Sequence, residues 1–362
     1  MMEFNLKEVL KQFNIDTDVD AFGDGHINET YRVKGQPYIL QKVNTGIFEN
    51  PREVMENIKN VTAHLRKKII EAGGNPDRET LTLVKTVDGK SFFEADEKNV
   101  FRVYKFIEGA ESFNKAQSPQ QFYNVARAFG KFQTMLSDFP AEKLYETIPE
   151  FHNTPNRVDQ LREAIKNDVA GRSESVREEI EFSLKMAEEA DIILKAMEDG
   201  SVPLRVTHND TKLNNVMLDI KTGEPICVVD LDTVMPGSML FDFGDALRFG
   251  ASTADEDEKD LSKVWFDLEL FKYFSMGYIE EMRDVITEKE LELMPFSAKL
   301  LTYECGIRFL ADYINGDVYF KIHYPEHNLD RARTQLKLVA DMENKMEEMK
   351  QIIKEIKEIK EG

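Results

Sequence analysis

Apolar residues at the start of the chain (Phe4, Leu6, Val9, Leu10, Phe13) fall at helical spacing and predict a short first helix. From Ala21 onward the pattern turns β-like. Phe22-Gly23-Asp24-Gly25-His26 reads as a glycine turn, and residues 30–33 and 38–43 read as strands. Residues 51–68 carry a helical stripe with Pro51 in the first turn, where a missing N–H costs nothing. Residues 81–84 and 91–93 flank Asp88-Gly89, which predicts a hairpin, and 100–107 is a further strand broken at Glu108-Gly109. After Gly109 the period is helical nearly to the end, interrupted over 204–232 by two short strands joined across 219–224. A small antiparallel sheet with one helix, followed by a mainly helical remainder, predicts an α+β, bilobal architecture, with 1–108 as the N-terminal lobe and 109–362 as the C-terminal lobe. Val339, Met342, Met346, Met349, Ile353 and Ile356 alternate steps of three and four, which suits either a terminal helix packed on its own lobe or a seam for a homodimer.

Composition narrows the class without naming it. A chain of 362 residues with 41% hydrophobic content can bury a large core. There is no run of 18 apolar residues and no basic-then-apolar leader, so neither a membrane span nor a signal peptide is expected. Cys227 and Cys305 are the only cysteines, too few and too far apart for a disulfide framework, and the expected home is the cytoplasm. The formal net charge of −20 opposes a nucleic-acid partner.

Chemistry concentrates in His208-Asn209-Asp210-Thr211-Lys212-Leu213-Asn214-Asn215, followed by the apolar run Ile226-Cys227-Val228-Val229 ending on Asp230. Kinase-type phosphoryl transfer needs one carboxylate at the acceptor hydroxyl, and an amide plus a second carboxylate holding magnesium against ATP. Asp210 is the candidate base; Asn215 and Asp230 are the candidate metal ligands, both hard oxygen donors. Asp232, two residues on along an extended strand, would share the face of Asp230. His208 reads as a scaffold for the loop. Asp242-Phe243-Gly244 spells the metal triplet of protein kinases, yet no apolar strand leads into it, so Asp242 and Asp245 are expected to support the loop instead. Gly23 and Gly25 are candidates for a loop over the phosphates. On the following strand either Gln41 or Lys42 faces the nucleotide, and Glu53 or Glu56 is the helix glutamate that would pair there. Lys105 and Ile107 bracket a hinge whose backbone suits adenine.

These residues together resemble the aminoglycoside phosphotransferase/choline kinase-like superfamily, which shares His-x-Asp-x4-Asn and a strand-ending aspartate. Within it the longer strings are similar to the N-acetylhexosamine 1-kinases: Gly23-Asp-Gly-His-Ile-Asn28, Arg205 to Asn215, Asp230-Leu-Asp-Thr233, Met235 to Asp245, Arg248 to Thr253, Glu304 to Tyr313 and Tyr324 to Leu329. The resemblance implies a protein-kinase-like fold and phosphorylation of the anomeric hydroxyl of N-acetylglucosamine or N-acetylgalactosamine, dependent on ATP and Mg2+. Beyond Asp210, the shared strings offer His26, Arg248 and Phe249 for the sugar. They also offer Arg308 and Asp312, four apart on one helix face, for sugar hydroxyls or for each other. The rivals are a kinase of an amino alcohol, homoserine or an aminoglycoside, whose cationic acceptor would recruit Asp242, Asp245 and Asp312, and a nucleotide-binding pseudokinase scaffold.

Overall fold

The computed structural model describes residues 5–23 and 28–361. In chain order the helices are α1 (Leu6–Lys11), α2 (Pro51–Glu71), α3 (Pro76–Glu79), α4 (Pro119–Met135), α5 (Thr154–Asn167), α6 (Arg177–Met186), α7 (Ile192–Glu198), α8 (Met239–Gly250), α9 (Leu268–Met282), α10 (Glu288–Ile314) and α11 (His327–Glu361). The strands are β1 (Val19–Ala21), β2 (Glu29–Val33), β3 (Tyr38–Lys42), β4 (Phe93–Asp96), β5 (Asn99–Lys105), β6 (Ala110–Glu111), β7 (Arg205–Thr207), β8 (Val216–Asp219), β9 (Pro225–Val228) and β10 (Met235–Gly237). The architecture is α+β, an antiparallel five-stranded sheet ordered β1-β2-β3-β5-β4 on a mainly helical lobe.

The register of the sheet separates its faces. Leu40 opposite Val103, with Val33 and Phe101, packs on Val9, Leu10 and Phe13 around α1, which closes the outer face with apolar area. Thr30 opposite Gln41, and Gln41 opposite Arg102, therefore share the inner face. Helix α2 buries Val54, Met55, Ile58, Val61 and Leu65 along one stripe. Its Asn57 fastens it to the large lobe: Nδ2 donates to Tyr145 O (2.8 Å) and Val234 O (3.0 Å), and Oδ1 accepts from Tyr145 N (2.9 Å).

The anticipated hairpin across Asp88-Gly89 is replaced by another. The turn forms, with Thr86 O receiving Gly89 N–H and Thr86 N–H donating to Lys90 O, but residues 81–84 and 91–93 do not pair with each other. Phe93–Asp96 pairs with the first half of β5. Val84 N–H donates to Val103 O and Lys105 N–H to Thr82 O, so residues 82–84 line the second half of the same edge. Two segments share one strand edge because each saturates only part of its backbone groups.

In the large lobe α10 is the central helix, opened by a capping box between Thr287 and Glu290. It lies against α8 so closely that a Cβ on Gly244 would stand 2.4 Å from the Ser297 carbonyl oxygen. Helix α11 packs on α10 and α9. Val339, Met342, Met349, Ile353 and Ile356 are buried there within the chain, so the seam anticipated for a second copy is already covered by the protein's own lobe. Among the described residues no helix is long and apolar enough to cross a membrane.

Candidate active site

The loop between β7 and β8 carries Asp210, and its shape is imposed from beneath. Asn209 takes a left-handed conformation (φ 63°), turning the chain so that consecutive N–H groups face down. Asp242, in the first turn of α8, receives them: His208 N–H donates to Oδ2 (2.9 Å) and Asn209 N–H to Oδ1 (2.7 Å), while Gln133 Nε2 donates to Oδ2 (2.8 Å). Asp245, one turn later, accepts from Thr211 N–H (3.1 Å) and from Arg248 Nε (3.1 Å). Burial pushes the Asp242 carboxyl above its ordinary range despite these donors and the nearby His208. At Asp245 burial also pushes upward, but Arg248 and Lys212 prevail and the carboxyl is held below it. The His208 ring lies beside Phe129 and Phe132 with Nε2 2.8 Å from Val229 O. Nε2 therefore carries the proton, which leaves Nδ1 to accept Asp210 N–H at 3.3 Å.

On this scaffold Asp210 is presented at the surface of the cleft. Asn215 Nδ2 donates to Asp210 O (2.8 Å) and Oδ2 (3.1 Å), and Lys212 Nζ stands 2.7 Å from Oδ1. Asp230 follows β9 in a left-handed conformation (φ 57°, ψ 61°). Burial, with Asp232 and Asp210 close by, raises its carboxyl to about 6. A bound cation would relieve the repulsion that Asp232 and Asp210 add to the effect of burial.

Asp232 departs from its expected place. Because Asp230 is left-handed and Leu231–Thr233 is a single 3-10 turn, the chain is not extended there, and Asp232 swings toward the sheet. Its Oδ1 lies 2.6 Å from Arg102 Nη1, and both side chains are almost fully buried, at 2% and 1% exposed. Asn28 Nδ2 donates to Asp232 Oδ2 (2.7 Å), and Asn28 Oδ1 accepts from Asn44 N–H (3.0 Å). Arg102 Nε and Nη2 converge on Gln41 Oε1 at 3.0 and 2.9 Å. Gln41 thus occupies the inner face of β3, while Lys42 pairs with Glu29 at 3.6 Å. Against Arg102, α2 sets the sulfur of Met55, 3.8 Å from Nη1, where a glutamate at 53 or 56 was anticipated.

The remaining sequence-predicted residues are dispersed. Gly23 has φ 75°, as a tight turn requires; Gly25 and His26 lie outside the described residues. Lys105 points to the outer side of β5, where its ammonium pairs with Asp77 at 2.8 Å. Ile107 is buried, and the following hinge carbonyls of Glu108 and Gly109 are taken by Arg78. Arg248 is held between Asp245 and Glu256 (3.1 and 3.0 Å), with Phe249 half-buried beside it. Arg308 stacks over Phe320 and Tyr319, 5.5 and 6.0 Å from their centroids. Asp312 does not pair with it: both its oxygens are filled by the N–H groups of Val318, Tyr319 and Phe320 and by Asn328 Nδ2. It shapes the 317–320 turn and is no free acceptor for a sugar hydroxyl. Arg102, Asn28 and Lys212 were not anticipated. A lone arginine in the apolar run Val100-Phe101-Arg102-Val103 was a signal for the first, since a buried cation requires a partner.

Among the described residues no group of three or more His, Cys, Asp or Glu forms a metal cage. A magnesium ion does not need one, because it keeps waters and phosphate oxygens beside one or two protein ligands. Asn215, whose amide nitrogen is committed to Asp210, leaves its carbonyl oxygen for a cation, and Asp230 supplies the charge. The donor set fits.

A β-sheet roof, a helical floor and a carboxylate loop braced from below define a phosphotransferase of the protein-kinase-like class. Residues 18–270 match the phosphotransferase enzyme family APH, and the chain belongs to that family. Its fold is similar to that of an aminoglycoside phosphotransferase from Alicyclobacillus acidocaldarius (TM-score 0.64, 12% identity, 98% of each chain). It is also similar to a choline kinase from Cryptosporidium parvum (TM-score 0.57, 12% identity, 91% of this chain and 90% of that one). A spectinomycin phosphotransferase solved with ADP and spectinomycin has TM-score 0.53 at 15% identity, over 93% of this chain and 96% of that one.

Proposed function

We propose that the protein transfers the γ-phosphoryl group of ATP to the anomeric hydroxyl of an N-acetylhexosamine, giving the sugar 1-phosphate and ADP. The observation that carries the reaction class is the Asp210 carboxylate, fixed by Asn215 and flanked by Lys212 at 2.7 Å. Asp210 orients the acceptor hydroxyl in line and takes its proton as the bond to phosphorus forms. Lys212 sets a positive charge beside the transferring group, where charge spreads over its oxygens. Asn215 and Asp230 would hold magnesium, which when bound neutralises the phosphate oxygens.

For the acceptor, the longer sequence strings favour a neutral sugar, and the fate of three carboxylates supports it. A cationic acceptor needs free carboxylates around it. Asp242 is saturated by three donors, Asp245 by Thr211 and Arg248, and Asp312 by three N–H groups and Asn328.

Phosphorus NMR of the protein with ATP, magnesium and N-acetylglucosamine or N-acetylgalactosamine tests this. A new signal split by the anomeric proton is expected. Phosphorylation of choline, homoserine or an aminoglycoside, with both sugars inert, would replace the substrate assignment; intact ATP across all of them would favour a pseudokinase.

A further inference from the structure

Arg102 sits in the middle of an apolar strand and is 1% exposed, so it reaches neither solvent nor a nucleotide phosphate directly. We propose that Arg102 is a positioning residue for the metal-binding loop: through Asp232 it sets the place of Asp230, so that metal affinity in the large lobe is governed by strands of the small one. This rests on the reading of Asn215 and Asp230 as the metal pair.

The geometry has three parts. Asp230 is left-handed, a conformation that a non-glycine residue holds only where its surroundings enforce it. Two residues on, Asp232 is gripped from two directions, by Arg102 Nη1 at 2.6 Å and by Asn28 Nδ2 at 2.7 Å. Asn28 opens the segment that leads into β2, and its Oδ1 also takes Asn44 N–H. The guanidinium itself cannot swing. Gln41 Oε1 accepts from Nε and Nη2, and Gln41 Nε2 donates to Thr30 Oγ1 at 3.1 Å.

Strands β2, β3 and β5 and the segment at Asn28 therefore converge on one carboxylate, two residues from the metal position. Arg102 forms an ion pair with one oxygen of Asp232 and Asn28 Nδ2 donates to the other, so both oxygens of the carboxylate are drawn toward the sheet. The planar fork matters as well as the charge. A lysine can reach Asp232 or Gln41 but cannot span both with fixed geometry.

The test is calorimetric binding of a non-hydrolysable ATP analogue as magnesium is titrated, with wild type, Arg102→Met and Arg102→Lys, alongside thermal unfolding of each. Wild type should show magnesium-dependent binding; if it does not, the metal reading of Asn215 and Asp230 fails rather than the role of Arg102. The magnesium concentration for half-saturation should rise about tenfold or more in Arg102→Met, on the scale seen when outer partners of metal ligands are removed. Arg102→Lys should show a smaller but clear rise. A folded variant whose half-saturation stays within twofold of wild type, whatever its melting temperature, would overturn the proposal and leave Arg102 a purely structural bridge. Should Arg102→Met fail to fold, Arg102→Lys decides on the same criterion.

Discussion

Replacing Asp242 separates the two aspartates that sequence motifs would confuse. In the wild type it satisfies three buried donors: His208 N–H, Asn209 N–H and Gln133 Nε2. Asp242→Ala strands all three, each at about 1–3 kcal/mol, so a loss of at least about 3 kcal/mol is expected from a typical total of roughly 5–15 kcal/mol. Asp242→Asn is a milder perturbation. Its carbonyl can keep the two donors at the Oδ2 position, but its amide nitrogen then faces Asn209 N–H. Removal of a buried charge, whose carboxyl is already pushed upward by burial, offsets that conflict. The two terms are each about 1–3 kcal/mol, so the asparagine variant should lie within about 2 kcal/mol of wild type. Urea unfolding followed by circular dichroism measures both values. Magnesium titration of nucleotide-analogue binding, on the folded fraction, should leave the half-saturation of Asp242→Asn unchanged. A stable variant that had lost its magnesium dependence would show that Asp242, and not Asp230, is the metal carboxylate.

Asp210→Asn should lower turnover about 10²–10⁴-fold while nucleotide binding persists, as removal of a positioned base does; an unchanged rate would dismiss Asp210 from that role. Arg205→Leu leaves Glu290, which is fully buried and paired with Arg205 at 2.6 Å, without its cation. The variant should lose about 3–5 kcal/mol in urea unfolding, and a loss under 1 kcal/mol would mean that the Thr287 cap alone suffices for Glu290. Cys305 has its thiol pushed up to about 11, first by burial and then by Glu256 and Asp245 against the pull of Arg248 and Arg308. The raised value keeps it protonated at neutral pH, so at pH 8 iodoacetamide should label it about two orders of magnitude more slowly than a free thiol, with the rate climbing toward pH 11. Rapid labelling at pH 8, read by peptide mass spectrometry, would contradict this environment.

The readable parts of the chain were those whose cause is local. Alternation placed β2, β3 and β5 because one face of each packs on apolar neighbours, and the spacing of Asp210, Asn215 and Asp230 reflects a loop and strand fixed within a short stretch. What escaped was decided at a distance. The edge of β5 accepts two segments in turn, which no hairpin signal encodes. Asp232 was expected to share the face of Asp230 along an extended strand, but the left-handed turn at Asp230 delivers it to Arg102 on another strand. The terminal stripe named an apolar face but not its cover, and α10 and α9 provide it. Asp312 drew notice as a polar residue on the face of Arg308, yet its partners are backbone groups of a turn that composition alone does not reveal.

Gly244 acts as a gauge block. The residues Asp242, Phe243 and Gly244 answer to three unrelated demands: hydrogen bonds to the loop above, a place in the aromatic cluster with Phe271, Phe274 and Tyr278, and clearance from α10. A methyl at Gly244 would have to move from 2.4 Å to an ordinary contact from the Ser297 carbonyl, parting the helices by about 1 Å. Since α8 carries both carboxylates that cradle the catalytic loop, that displacement would pass straight to Asp210, and misplacement on this scale can cost about 100-fold in rate. The machining tolerance of the active site is thus set by a single hydrogen atom on the far side of the helix.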